Sequence, residues 1–587
     1  MGSSRTRAAH AGALLLFALA AGLWLSGFLT LWLLELPSPL HVTTYIEYAL
    51  ALGLPGVQPY AWTIRLAGWF GFGLPLALWA IAAAYMWWPR ARAFHGDARF
   101  AGHGDLARAG LLKATPDGIV IGRAGGDYLY LGGTRHLIVT APTRTGKTSS
   151  IAIPVLLTYR HSIVCMDLKG ELFQHTSGYR AAIGQAVYRF APYAEDGRTH
   201  RFNPLMAVSP DPRLRIGELQ TLGAILYPDE PGKDPFWALQ SRTAFVAFAS
   251  YLFEAWDDRV GRRLREPGRV PIDANTDPAF PSLERVYRFS AGDGGELKEF
   301  LRERLEAPFV SATTRAALAS LTGLAEQTFS SVIATTQAPL QQFLSPVLAA
   351  ATNATDFDAE SLRRRPATIY VVIPPHKLGE ARKLLNIFFS TVIGQNLRQT
   401  PQEDPSIRYQ MLLLMDEFTA MGRVDVLSER IALTAGYWIR DLSIIQSLSQ
   451  LDSTYGEDDA RTYITNHAAS IVFTPREQRD AEAYSRMLGD TTVKRRSRST
   501  GKGGTTHTHS EERRPLLLPQ ELKELPEGEE IIFLEGCRPI RCRKNWYFKD
   551  RRLRKRILDP VAIRPVPHGG AGMPLPTERA CRNFRES

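Results

Sequence analysis

The sequence predicts an α/β protein: a mainly parallel sheet with helices on both faces, an inserted all-α domain, and two N-terminal transmembrane helices. Three observations carry this. Two long uncharged apolar runs lie within the first 90 residues, and short β-branched runs later alternate with helical patterns. Between Pro210 and Glu326 the strand signals give way to amphipathic helical patterns, such as Phe236–Trp256 and Gly295–Leu305.

The first run, Leu14 to Leu34, is uncharged over 21 residues, which at ~1.5 Å per helical residue is about the thickness of a bilayer core. The second, Leu66 to Trp88, contains Pro75 and ends in Tyr85, Trp87 and Trp88, aromatic residues that suit a water interface. A cleaved leader is the alternative, because Ala18-Leu19-Ala20 resembles a cleavage site, but the apolar run continues to Leu34. Arg5 and Arg7 precede the first run and Arg90, Arg92 and Arg99 follow the second, while Glu35–Arg65 holds one Arg and no Lys. The positive-inside rule puts both ends in the cytoplasm and the loop outside.

A chain of 587 residues exceeds one compact domain, and 45% hydrophobic with 22% charged residues excludes a disordered or fibrous protein. Cys165, Cys537, Cys542 and Cys581 form neither a disulfide framework nor a zinc pattern and read as free thiols in a reducing compartment. The net charge of +11 is concentrated: Arg541–Arg556 carries nine basic residues against Asp550, a net +8. This excludes a uniformly basic nucleic-acid coat and points to one basic stretch on a near-neutral body.

After a linker at Phe94–Gly110, the β-branched run His136–Thr140 leads into Ala141-Pro142-Thr143-Arg144-Thr145-Gly146-Lys147-Thr148, followed by Ser149. This is a P-loop in strand–loop–helix context, with Ala141 replacing the first glycine. The loop Ala141–Ser149 cradles phosphates through its backbone N–H groups, which Pro142 alone lacks, Lys147 adds a cation at the β/γ-phosphates, and the Thr148 hydroxyl ligates magnesium. The reading is ATP with Mg2+.

Such a site needs an acid at the end of a neighbouring strand. Tyr409–Met415 is an apolar run ending in Asp416-Glu417; Asp416 is the magnesium acid and Glu417 the general base for the attacking water. A third run, Leu442 to Ser447, places the amide of Gln446 near its end, as a γ-phosphate sensor or a satisfied core amide. Arg423 and Arg440 flank these elements as candidate fingers for a neighbouring subunit, or as surface salt-bridge partners.

Further runs at Ile369–Ile373 and Ile471–Thr474 continue the α/β alternation. The resulting division is a membrane anchor at 1–92, a nucleotide-binding domain in two parts (93–209 and 327–550), an inserted all-α domain at 210–326, and a basic Pro/Gly-rich tail at 551–587, expected to be disordered. Lys494–Arg498 leads into Ser499–Ser510, read as a mobile loop in which His507 and His509 are solvated rather than metal-binding. Within Arg541–Arg556, Trp546-Tyr547-Phe548 reads either as a base-stacking DNA contact or as a half-buried edge strand.

Asp167-Leu-Lys-Gly-Glu171-Leu, Phe202-Asn-Pro-Leu205, Leu414–Arg423, Ile445–Leu451 and Arg514–Pro519 together resemble the TraG-type coupling proteins of type IV secretion and conjugation. The resemblance runs from the membrane helices to about Asp550. It implies a RecA-like P-loop ATPase, multi-pass in the bacterial cell inner membrane with its loop periplasmic and its large domain cytoplasmic. It also implies a homohexamer that brings relaxase-bound DNA or protein effectors to the secretion channel components. By position, Lys147 and Thr148 are the P-loop ligands, Asp416 and Glu417 the Walker B pair, and Gln446 the motif III glutamine. Two alternatives stand beside this: an ATP-switched substrate receptor without motor activity, and a septal-type double-stranded DNA pump. No LSGGQ-like signature lies between Lys147 and Asp416, which disfavours an ABC transporter.

Overall fold

The computed structural model describes residues 2–87, 95–229, 232–265, 272–501 and 504–566, with only the backbone for 2–9 and 496–509. The chain divides into two compact units, Met1–Phe94 and His95–Ser587.

The first unit is built on helices Gly2–Leu33 and Ala61–Trp87, connected through a short helix at Thr44–Leu50. Within them, His10–Leu33 and the segment Gln58–Tyr85 are long and apolar enough to cross a bilayer. Small residues bring the two helices together. A Cβ on Gly71 would lie 2.6 Å from Ser26 Cα, and one on Gly22 would lie 2.6 Å from the Phe72 ring. Glycine at these two positions is what permits so close an approach. Ser26 and Thr30, both fully buried, return their hydroxyls to Gly22 O (2.7 Å) and Ser26 O (2.8 Å) of their own helix. Phe17, Trp32, Trp69 and Phe70 face outward. Trp88, Arg90 and Arg92 lie outside the described residues.

The second unit holds an eleven-stranded sheet and a separate two-stranded ribbon. The strands are β1 (Ile119–Ala124), β2 (Asp127–Leu131), β3 (Leu137–Thr140), β4 (Ser162–Asp167), β5 (Ala186–Phe190), β6 (Ala367–Val372), β7 (Met411–Met415), β8 (Ile439–Ile445), β9 (Ala469–Val472), β10 (Asp490–Gly501), β11 (Gly504–Pro515), β12 (Glu529–Leu534) and β13 (Ile540–Arg543). The sheet runs β2-β1-β13-β12-β9-β3-β8-β7-β4-β6-β5. From β9 to β5 every pairing is parallel. β3, β4, β6, β7 and β8 are buried along their whole length, as continuous apolar strands covered on both faces must be. Beyond β9, the strands β12, β13, β1 and β2 add an antiparallel wing. β1 and β2 meet at Gly125-Gly126, whose positive φ angles of 59° and 101° suit a two-residue hairpin.

The helical stretch between β5 and β6 runs from Pro212 to Thr352, further than the expected boundary at 326. It shares its core with the sheet: Phe190 and Phe202, just outside the helices, pack with Phe388 at ring-centroid distances of 5.3 and 4.9 Å. The buried cluster reaches through Phe245, Phe289 and Phe343 without a break.

Two expectations change. Ser499–Ser510 does not form a loop: described backbone on both sides of residues 502–503 pairs in register from Asp490↔Pro515 to Gly501↔Gly504. Its Thr-rich tract supplies β-favouring residues that low complexity had disguised. The tail expected to be disordered from residue 551 stays on the body to Val566, because Leu553 is fully buried and backbone groups find partners. Val561 N donates to Ser177 Oγ (3.1 Å) and Val566 N to Gly197 O (2.9 Å). Residues 567–587 lie outside the described residues.

Candidate functional site

The site forms where β3, β8 and β7, adjacent in the sheet, end together at their carboxyl edges. Parallel strands deliver the loops that follow them to one edge, so three short segments distant in sequence meet.

After β3, Ala141 N donates to Ile445 O at the end of β8 (2.9 Å). Ala141 is fully buried and adopts no left-handed backbone, so its methyl is tolerated where the motif usually has glycine. Arg144 and Gly146 do turn left-handed, with φ of 63° and 83°. Thr145 Oγ1 donates to Pro142 O (2.6 Å), and Ser150 N closes the loop onto Gly146 O (2.8 Å). The helix begins at Thr148 with a wide π turn, Thr148–Ala152, and continues as Ile153–Thr158.

Asp416 and Glu417 follow β7 directly. Asp416 Oδ2 accepts from Thr148 Oγ1 (3.0 Å), while its Oδ1 is buried without a partner. Glu417 is left-handed (φ 62°), and its carboxylate pairs with the Lys147 ammonium through Oε1. Gln446 Nε2 donates to Glu417 Oε2 (2.8 Å). Lys147, Glu417 and Gln446 thus form one hydrogen-bonded chain across all three loops. Burial raises the Asp416 carboxyl to a pKa of about 6; Lys147 opposes the shift and the neighbouring Glu417 charge adds to it. An orphaned carboxylate oxygen beside a threonine hydroxyl is an oxygen donor set that fits magnesium.

The two arginines part company. Arg440 is fully buried in β8 and donates to Arg135 O (3.1 Å), Asp117 O (2.7 Å) and Leu131 O (3.1 Å). It is neither a finger nor a surface salt-bridge partner, because its guanidinium is spent on backbone carbonyls inside the sheet edge. Arg423 is partly exposed and pairs with Asp425 (2.6 Å) and Asp459 (2.8 Å), and its Nη1 donates to Tyr455 O (3.0 Å).

Sequence reading missed a further layer on the P-loop. Lys544 Nζ donates to Thr145 O (3.1 Å), Tyr547 N to Ser149 O (3.1 Å), and Arg476 Nη2 to Thr143 O (2.9 Å). The aromatic triplet at 546–548 was visible as a motif, but nothing local tied it to residues some 400 positions earlier. Part of the Arg541–Arg556 basic stretch is engaged within the fold: Arg541 pairs with Glu529 (2.7 Å), Arg556 Nη1 donates to Leu157 O (2.7 Å), and Lys544 is buried.

Comparison with known proteins gives a consistent picture. The family described as "Type IV secretory system Conjugative DNA transfer" matches residues 99–566. The chain is similar to Protein VirD4 of Rhizobium rhizogenes, 29% identical over 492 residues, covering 81% of this chain and 69% of that protein. It is also similar to Conjugal transfer protein TraG of Escherichia coli, 27% identical over 512 residues, covering 78% and 77%. Among solved structures, the plasmid coupling protein TrwB in complex with ADP and Mg2+ has the same fold, with a TM-score of 0.54 at 17% identity over 78% of this chain and 96% of that one.

Proposed function

The chain belongs to the type IV secretory system conjugative DNA transfer family, and from that premise we propose that it is a membrane-anchored ATPase that recruits relaxase-bound DNA or protein substrates and couples ATP hydrolysis to their delivery into a secretion channel. The observation that carries the enzymatic part is the convergence of Lys147, Thr148, Asp416, Glu417 and Gln446 at one sheet edge.

On this reading the P-loop N–H groups hold the phosphate chain and Lys147 turns from Glu417 to the β/γ-phosphates. Magnesium, when bound, neutralises phosphate charge; Thr148 and Asp416 are the residues that would hold it. Glu417, released from Lys147, accepts the proton of the attacking water. Gln446 keeps Glu417 aimed through its amide and connects the site to β8. The TrwB structure is a complex with ADP and Mg2+, and the shared fold supports the same ligands here.

We place the regions before Pro212 and after Thr352 as the two parts of the nucleotide-binding domain, with the helical region between them for cargo contact. The two apolar helices support inner-membrane anchoring with the second unit cytoplasmic. Assembly as a homohexamer gives Arg423 a role at a neighbour's site. The deciding experiment is ATP hydrolysis by the full chain in detergent, with and without single- and double-stranded DNA. Stimulation by DNA that Lys147→Ala abolishes supports a DNA-coupled motor; Lys147-dependent hydrolysis indifferent to DNA sinks that part and leaves protein cargo or the receptor role.

A further inference from the structure

We propose that Trp546 and Phe548 form the stacking wall for the nucleobase of the nucleotide held on the P-loop. The inference rests on the reading of Ala141–Thr148 as a nucleoside triphosphate site and adds to it a base subsite supplied by the far end of the chain.

In the π turn that opens the P-loop helix, Ile153 N bonds Thr148 O, five residues back. The same spacing would send Ser149 O to the nitrogen of Pro154, which carries no hydrogen. Ser149 O is taken instead by Tyr547 N (3.1 Å). Three residues before Tyr547, Lys544 Nζ bonds Thr145 O (3.1 Å) and stands 3.6 Å over the Phe473 ring. The segment after β13 is therefore fastened to the P-loop at both of its ends.

Between these anchors the Trp546 ring lies against Gly146, where a Cβ on the glycine would collide with it. Phe548 packs on Trp546 with ring centroids 5.4 Å apart and leaves 45% of its surface in solvent. The Lys549 ammonium stands 5.4 Å from the Trp546 ring and 5.9 Å from the Phe548 ring. A phosphate chain with its β/γ end at Lys147 leads past Thr148 toward Ser149, so sugar and base emerge where Tyr547 is bonded. Phe548, half exposed next to Tyr547, backed by the more buried Trp546 and flanked by Lys549, offers a π-face to a base and charge to the groups next to it.

The test compares ATP with inorganic tripolyphosphate, which has the phosphates and no base, in equilibrium binding to the full-length protein in detergent. Phe548→Ala, exposed and therefore safe for folding, and Trp546→Ala are expected to weaken ATP binding about tenfold while tripolyphosphate binding is unchanged, with Trp546→Phe retaining most of the ATP affinity. Equal weakening of both ligands would assign the segment to P-loop support and overturn the base wall; unchanged ATP binding in Phe548→Ala and Trp546→Ala would also overturn it. Lys147→Ala is the separate control: it should lose both ligands, and retention of both would count against the phosphate site itself.

Discussion

Lys147 and Glu417 form an ion pair that joins the loop after β3 to the loop after β7, with 9% and 23% of their side chains exposed. The pair makes the two groups compete: a phosphate that engages Lys147 must take it from Glu417. On the proposed reading, binding and activation of the base are the same movement, because a carboxylate that loses its cation becomes the better proton acceptor.

Glu417→Gln removes both the base and the competitor. Hydrolysis should fall by roughly 10²–10⁴-fold, while ATP affinity holds or rises, measured by steady-state turnover and equilibrium binding. Turnover at the parent rate would remove Glu417 from the chemistry.

Gln446→Ala should leave ATP affinity close to the parent value and reduce turnover about tenfold, less than Glu417→Gln, because it frees Glu417 Oε2 without removing the base. The check is the split between kcat and KM: a change in KM alone would place Gln446 on the substrate rather than on Glu417.

Asp416 supplies a pH signature. Burial raises its folded pKa from 3.8 to about 6, so its protonated form dominates below that pH and magnesium affinity should fall as pH drops through 6. In stability the sign is opposite to that of a salt-bridged acid: its contribution is full below pH 3.8 and is lost as pH rises through about 6. Without added nucleotide or magnesium, Asp416→Asn should therefore raise Tm at pH 8 relative to the parent and change it little at pH 4, read by thermal melts at the two pH values.

The two arginines give contrasting variants. Arg440→Ala strands buried carbonyls at Arg135, Asp117 and Leu131 and should destabilise by about 3 kcal/mol or more, seen as a lower Tm. Arg423→Ala breaks partly exposed pairs with Asp425 and Asp459 and should cost about 1 kcal/mol or less. Loss of turnover in Arg423→Ala at unchanged Tm, partly restored by mixing with Lys147→Ala subunits, is the result expected of a residue that completes a neighbour's site.

The sequence by itself determined which segments become the strands that carry the proposed site residues. The phosphate loop, Asp416-Glu417 and Gln446 each sit at the end of an apolar run, and the runs became β3, β7 and β8. Local legibility has a physical cause: a strand's side-chain period and the turn that follows it are set by neighbours in the chain. The two long helices were equally plain, since length without charge is a property of one segment.

Tertiary structure decided what depends on who borders whom. Arg423 and Arg440 are alike in sequence, yet one is partly exposed and the other is enclosed by carbonyls, because β8 lies between β3 and β7. Basic residues that read as one concentrated stretch are in part pairs and backbone caps, and Leu553 and the backbone of Val561 and Val566 hold a Pro-rich stretch expected to be disordered. Lys544 and Thr145 are separated by 399 positions and meet at 3.1 Å. Such contacts leave no trace in any local window, because they follow from strand order, and strand order is settled by the packing of the whole sheet.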